Sequence, residues 1–243
     1  MKAYGITDKG KVRQINQDSF LFDIKEEQDR AVAVLCDGMG GERAGEVASE
    51  LAAGAFMEHA LKSFTLSEIP LAVDIAKEST AWANLHVFDK ANRSSEYSGM
   101  GTTLVGVVIN GHDAAVVNVG DSRCYWLAEG QLQQVTRDHS WVQDMVEQGV
   151  LTPGEARSHP RKNLITRAVG HQRRIRSDIF RMDLRRGDVL LFCSDGLSNV
   201  VTEEEISRCL LSSAELPEIC RQLLQIALDR GAPDNVTVLL LQR

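Results

Sequence analysis

Runs of apolar residues rich in β-branched side chains recur along the chain and are bounded by turn residues. They predict strands at 31–36 (AVAVLC), 102–109 (TTLVGVVI), 114–119 (AAVVNV), 123–127 (RCYWL), 188–193 (DVLLFC) and 236–241 (VTVLLL). Asn110-Gly111 joins two of these runs with a hairpin signal, and Glu129-Gly130 gives a second. A helical spacing of three and four replaces the strand pattern at Ala44, Val47, Ala48, Leu51, Ala52, Ala55 and Phe56. It returns over 68–91 at Ala72, Ile75, Ala76, Trp82 and Ala83, and again at Ile219, Cys220, Leu223, Leu224 and Ala227. Ser140 with Gln143, Thr152-Pro153 with Glu155, and Thr202 with Glu205 are spaced as capping boxes opening shorter helices. The middle of the chain reads as consecutive hairpins, which disfavours a βαβ parallel fold. Segregated strands and helices predict an α+β protein with a sheet sandwich inside and helices outside.

The chain has 243 residues, 43% hydrophobic and 25% charged, enough to bury a core and too apolar for disorder. No repeat or proline-rich linker divides it, so a single domain over 1–243 is expected. No apolar run reaches the roughly eighteen residues of a membrane span. The start, Met1-Lys2-Ala3-Tyr4-Gly5, has neither the apolar stretch of a signal peptide nor a glycine for myristoylation. The expectation is a cytoplasmic protein with no membrane partner. A net charge of −7 and a pI near 5.4 argue against nucleic acid as a partner. The five cysteines (Cys36, Cys124, Cys193, Cys209, Cys220) form no C-x-x-C pair, so neither a disulfide framework nor a zinc site is indicated.

The chemistry is in the aspartates. Asp37 follows AVAVLC and precedes Gly38-Met39-Gly40-Gly41. Asp121 follows AAVVNVG, Asp195 follows DVLLFCS and precedes Gly196, and Asp234 precedes Asn235 and the strand VTVLLL. Four carboxylates at strand mouths would repel one another if brought together without a cation. Oxygen ligands without a Cys/His cluster select hard ions such as Mg²⁺ or Mn²⁺. Asp-Gly and Gly-Asp are also ordinary turn dipeptides, and the residue pattern alone leaves both readings open. Arg13, five residues before Asp18 and between two strand-like segments, reads as a surface ion pair or as a guanidinium able to grip phosphate with two prongs.

These residues lie in the segments RQINQDSF, CDGMGGERAGEVAS, GMGTTLVGVVI, NVGDSRCYWL, CSDGLSN and APDNVTV. In that order, over essentially the whole chain, they resemble the PP2C-type (PPM) metal-dependent Ser/Thr protein phosphatases, most of all the compact bacterial members. The resemblance implies a four-layer αββα sandwich, two antiparallel sheets flanked by helices, with a binuclear Mn²⁺/Mg²⁺ centre at one end. It implies that Asp37 bridges two ions, that the Gly38 carbonyl binds the second, and that Asp195 and Asp234 complete the first ion's shell. Asp18 would act through a metal-bound water, Asp121 with Asp195 would hold a third, weaker ion, and Arg13 would grip the substrate phosphate. The implied reaction is hydrolysis of phosphoserine and phosphothreonine in proteins by a metal-activated water, opposing a Ser/Thr kinase, in a monomer.

Two departures are visible. Met39 stands where many eukaryotic members carry a histidine thought to act as general acid, which leaves protonation of the leaving group unassigned. Glu42 replaces a histidine common in bacterial relatives and makes the cleft rim more acidic. His139, among residues that cap a helix, reads as structural. Arg157 to Arg176 holds seven Lys/Arg and no acid. It reads as a solvated basic face, or, by the resemblance, as a flap that helps select phosphoprotein substrates. No Cys-x₅-Arg loop is present, which points away from a thiolate nucleophile. The rival functions are a non-catalytic metal- or ligand-gated binding module on the same fold, and a phosphodiesterase or nuclease suggested only by the basic stretch.

Overall fold

Strands buried on both faces dictate the architecture, because a continuous apolar run needs cover above and below. The computed structural model describes residues 1–40, 44–66 and 71–243. In chain order the elements are β1 (Lys2–Asp8), β2 (Asp18–Lys25), β3 (Arg30–Met39), α1 (Ala44–Ser63), α2 (Ala72–Arg93), β4 (Gly101–Thr102), β5 (Leu104–Asn110) and β6 (Asp113–Val119). They continue with β7 (Arg123–Ala128), β8 (Gln131–Gln134), α3 (Trp141–Glu147), α4 (Pro153–Ser158), β9 (Asp178–Asp183) and β10 (Val189–Cys193). The chain closes with α5 (Asp195–Ser198), α6 (Glu203–Leu210), α7 (Leu216–Asp229) and β11 (Val236–Gln242).

One sheet runs β1-β11-β10-β7-β8 and the other β2-β3-β5-β6-β9, with β4 hydrogen-bonded to β3. The strand pairs are antiparallel. Three apolar layers separate four layers of structure. Phe56, Ile75 and Val87 of α1 and α2 pack on Val32, Val34 and Val117. Leu35, Val107, Phe192 and Leu239 fill the space between the sheets. Ile219, Leu223 and Leu224 of α7 cover Leu191, Val238 and Leu240. This is the αββα sandwich the sequence leads one to expect.

Local chemistry sets the joints. Asn110 pairs with Asp113, so the β5–β6 loop is Gly111-His112, one residue later than the Asn-Gly signal suggests. Gly111 takes the left-handed φ of +63° that such a short loop needs. Thr152 and Thr202 form complete capping boxes with Glu155 and Glu205. Ser140 forms only half of one: it accepts the Gln143 N–H, while the Gln143 side chain turns to Glu147. The start of α2 is capped from another element, its Ala72 N–H donating to Asp113 Oδ2 at 3.1 Å. Trp82, expected on the buried face of α2, is 41% exposed and stacks outside against His59 and His86. The sequence pattern also omits β9, which pairs with β6 and closes that edge of its sheet. All five cysteines are free. Among the described residues no helix is long and apolar enough to cross a membrane.

Candidate metal centre

Four strand ends and the 9–17 loop converge on one cavity of about 230 Å³. Arg13, Gln17, Asp37, Gly38, Met39, Asp121, Asn163, Ile165, Asp195 and Asp234 line it. Every residue named as a candidate metal ligand or phosphate contact is therefore brought to this cavity except Asp18. That aspartate stands one strand behind, as the register partner of Asp37 across the β2–β3 ladder. Glu42 lies outside the described residues.

Several of the aspartates are fixed by neighbours that sequence reasoning did not find. Asp37 donates its N–H to Thr103 Oγ1 at 2.9 Å, and its carbonyl accepts from the Thr103 N–H and the Thr102 hydroxyl, both at 2.9 Å. Thr103 Oγ1 also bonds Ser122 Oγ at 2.7 Å, which ties the Asp37 strand to the Asp121 loop. Asp195 opens α5 and accepts from Asn199 Nδ2 at 3.0 Å. Asp234 accepts from Arg13 Nη2 at 2.8 Å. The loop carrying Arg13 is fastened by Asn235, whose Nδ2 donates to the Lys9 and Ile15 carbonyls and whose Oδ1 accepts the Gln17 N–H. Ser122, Asn199 and Asn235 share short segments with the aspartates, whereas Thr102 and Thr103 lie in GMGTTLVGVVI, a segment without one.

Asp18 shows the most specific arrangement. Its Oδ2 accepts from Ser194 Oγ at 2.8 Å and Thr237 Oγ1 at 2.6 Å. Thr237 spends its single proton there, so Thr7 must donate to Thr237, and Thr7 in turn accepts from Asn16 Nδ2. The other oxygen, Oδ1, is buried without a hydrogen-bond partner among the described residues.

The electrostatics follow from crowding. Burial, then the charge of Asp18 and after it Asp195, Asp121 and Asp234, pushes the Asp37 carboxyl well above the usual range. Burial raises Asp18 to about 7 against the pull of its two hydroxyl donors. Burial and Asp234 raise Asp195 to about 6, and burial with Asp195 and Asp138 raises Asp121. Positive charge placed among these carboxylates would draw all of them toward the ionised form at neutral pH.

Among the described residues, no group of three or more His, Cys, Asp or Glu closes tightly enough on one point to hold a metal ion as it stands. The carboxylates ring a cavity without three of them meeting at one point. The donor set fits hard divalent cations: it is all oxygen, it is mutually repulsive, and it includes an unpartnered buried carboxylate oxygen on Asp18.

Comparison with known proteins agrees with that chemistry. A family model described as protein phosphatase 2C matches residues 9–237. The chain belongs to the protein phosphatase 2C family. It is 37% identical to a serine/threonine phosphatase named stp from Listeria monocytogenes over 251 aligned positions, spanning 100% of this chain and 96% of that one. The crystal structure of the phosphatase Stp1 from Staphylococcus aureus superposes with a TM-score of 0.89 at 36% identity, covering 100% of this chain and 94% of that chain. The catalytic domain of the phosphatase PstP, solved with two manganese ions, gives 0.83 at 34% identity over 98% and 96% of the two chains.

A larger cleft of about 370 Å³ adjoins the metal cavity of this protein phosphatase 2C member, sharing Asp121 and Asp195. Arg157 and Lys162 of the basic stretch line it. Arg167 of the same stretch is not a free surface charge: it donates to Asp178 Oδ1 at 2.8 Å.

Proposed function

We propose that this protein phosphatase 2C hydrolyses phosphoserine and phosphothreonine in proteins, with divalent ions held by Asp37, the Gly38 carbonyl, Asp195 and Asp234. The observation that carries this reading is the single cavity lined by all four of these residues together with Asp121 and Arg13. When bound, a pair of such ions supplies Lewis acidity, polarising the phosphate and lowering the pKa of an attacking water.

The chain's own residues do the rest. Arg13 is half-exposed and anchored on one side by Asp234, which leaves guanidinium nitrogens free for two phosphate oxygens. Asp18, set behind Asp37 with a buried Oδ1 that has no hydrogen-bond partner among the described residues, would act through an intervening water. Asp121 and Asp195 would hold a third, weaker ion. Met39 lines the cavity and has no proton to give the leaving group. A thiolate route is closed: burial pushes Cys36 and Cys124 upward and Cys193 and Cys220 to about 12, so these thiols stay protonated at neutral pH.

Manganese is favoured over magnesium by the two manganese ions of the PstP structure, a relative 34% identical. A net charge of −7 supports protein over nucleic acid as the partner. We read residues 1–243 as one phosphatase domain, acting as a cytoplasmic monomer without a membrane partner and opposing a Ser/Thr kinase. Arg157 and Lys162, beside the shared cleft, are its candidates for engaging phosphoprotein sequences.

The test is release of phosphate from a phosphothreonine peptide with EDTA present, then with Mn²⁺ or Mg²⁺ restored, for the native chain and for Asp37→Asn. Turnover that disappears in EDTA, returns with cation and is lost in Asp37→Asn at a melting temperature no lower than native is expected. Manganese binding without turnover would instead identify a non-catalytic module, and EDTA-insensitive turnover would remove the metal reading.

A further inference from the structure

His139 is buried, 1% exposed, just ahead of the cap of α3, and its hydrogen bonds run toward the metal cavity instead of along the helix. Its backbone N–H donates to the Gly120 carbonyl at 2.9 Å, and its Nδ1 accepts the Gly120 N–H at 3.1 Å. Nδ1 therefore carries no proton, and the neutral ring bears its hydrogen on Nε2. Nε2 lies 3.1 Å from Asp178 Oδ2 and 3.0 Å from Arg167 Nη1, which itself donates to Asp178 Oδ1 at 2.8 Å; with Nδ1 accepting from Gly120, the Nε2–H is directed to the Asp178 carboxylate. The His139 carbonyl accepts the Thr166 N–H at 2.8 Å. One residue thus joins the peptide preceding Asp121 to the segment that supplies Asn163 and Ile165 to the cavity wall.

We propose that His139 is a positioning residue for the metal centre: its Nδ1 fixes the Gly120 peptide and so aims the Asp121 carboxylate into the cavity. The proposal rests on the reading of Asp121 as a cation ligand. Groups that orient a ligand without touching the ion are worth about 10- to 100-fold in metal affinity. A histidine that served only to fill the space ahead of α3 would have no such effect.

The two ring nitrogens can be separated. In His139→Asn the amide oxygen reaches the place of Nδ1 and keeps the Gly120 bond. In His139→Gln the amide nitrogen reaches the place of Nε2 and keeps only the Asp178 bond. The experiment measures Mn²⁺ binding to the full chain by calorimetry and by the electron paramagnetic resonance of free Mn²⁺, with melting in EDTA as the folding control. Asp121→Asn is expected to lose the weakest manganese site. His139→Gln should weaken that same site about 10- to 100-fold, while His139→Asn stays within about twofold of the native chain. Equal binding by the two histidine variants, with the site lost in Asp121→Asn, overturns the proposal. Native binding by Asp121→Asn overturns the ligand assignment beneath it, a distinguishable result. Nitrogen NMR of the native chain supplies a readout independent of the variants. An unprotonated Nδ1 coupled to the Gly120 amide supports the proposal, and a proton on Nδ1 overturns it.

Discussion

Asp18 and Asp37 stand directly opposite each other as register partners in the β2–β3 ladder. Like charges in that position destabilise a sheet. Hydrogen bonds from Ser194 and Thr237 moderate this at one of the two Asp18 oxygens, and the Arg13 guanidinium acts on Asp37 at longer range. A pair so arranged costs folding stability unless a cation is present, so its retention at the mouth of β3 makes sense as part of a metal centre.

The first consequence is a pH dependence opposite to that of ordinary acid denaturation. Without ions, Asp18 is raised to about 7 and Asp195 to about 6, burial being the main cause in both, and Asp37 and Asp121 are raised too. The folded chain therefore holds more protons than the unfolded chain between about pH 4 and about pH 7. The stability these groups contribute is fully present below about pH 4 and is lost as pH rises through their folded values. In EDTA the melting temperature should fall by on the order of 5 °C from the acid to the alkaline side of that window. Asp18→Asn should flatten the slope and Mn²⁺ should abolish it. A melting temperature that rises with pH in EDTA for the native chain, and no less in Asp18→Asn, would contradict the crowded-carboxylate account.

Gly196 sits where the segments carrying Asp195 and Asp234 touch. A Cβ at this position would overlap the backbone carbonyl oxygen of Asn235, immediately after Asp234. Gly196→Ala should push the Asp195 and Asp234 ends apart and cost about 1–3 kcal/mol of stability. Phosphatase activity should fall by more than the unfolded fraction explains, with a higher Mn²⁺ requirement. A variant that melts lower but keeps native kcat and Mn²⁺ dependence would mean that this approach does not set the ligand geometry.

The aspartates were legible in the sequence and their supports were not, for a physical reason. A carboxylate at the end of an apolar run, beside glycine, is a local signal. The partners of Asp18 are not local: Ser194 and Thr237 lie 176 and 219 positions away, and Thr103 lies 66 from Asp37. Only the closed sandwich brings them together. Among the elements, β5, β6, β10 and β11 read clearly because both faces are buried. By contrast β9, with the sequence DIFRMD and one side chain fully buried, offered no run to read. In α1 burial extends nearly all round, through Ala53, Ala55, Met57 and Ala60, so its stripe blurred before its end at Ser63.

Thr237 tests whether the hydroxyl chain behind Asp18 matters energetically. Thr237→Val preserves shape, removes one of two donors to Asp18 and leaves the Thr7 hydroxyl without its acceptor. A hydrogen bond to a charged group is worth about 1.5–3 kcal/mol. That loss is expected in EDTA above pH 7, where Asp18 is ionised, and should shrink at pH 5. Asp18→Asn as the second arm of a double-mutant cycle should remove most of the coupling. Equal costs at both pH values and additive effects in the cycle would reduce Thr237 to a packing residue.

Arg13 provides the sharpest separation of substrate binding from metal binding. Its Nη2 donates to Asp234 Oδ2 at 2.8 Å, and the side chain remains 53% exposed at the cavity. Lysine would keep the charge but not the planar fork that contacts two phosphate oxygens at once. Arg13→Ala and Arg13→Lys should therefore both raise KM for a phosphothreonine peptide, by about 10-fold or more, as expected for a lost charge-assisted bidentate contact. Removing positive charge beside Asp234 should leave Mn²⁺ affinity unchanged or slightly tighter, because a competitor for that carboxylate is gone. Steady-state kinetics at saturating Mn²⁺, together with a direct binding isotherm for the ion, separates the two effects. Rescue of KM by lysine would mean that charge alone is sufficient. Loss of Mn²⁺ binding at unchanged KM would mean that Arg13 serves the Asp234 loop and never reaches the phosphate.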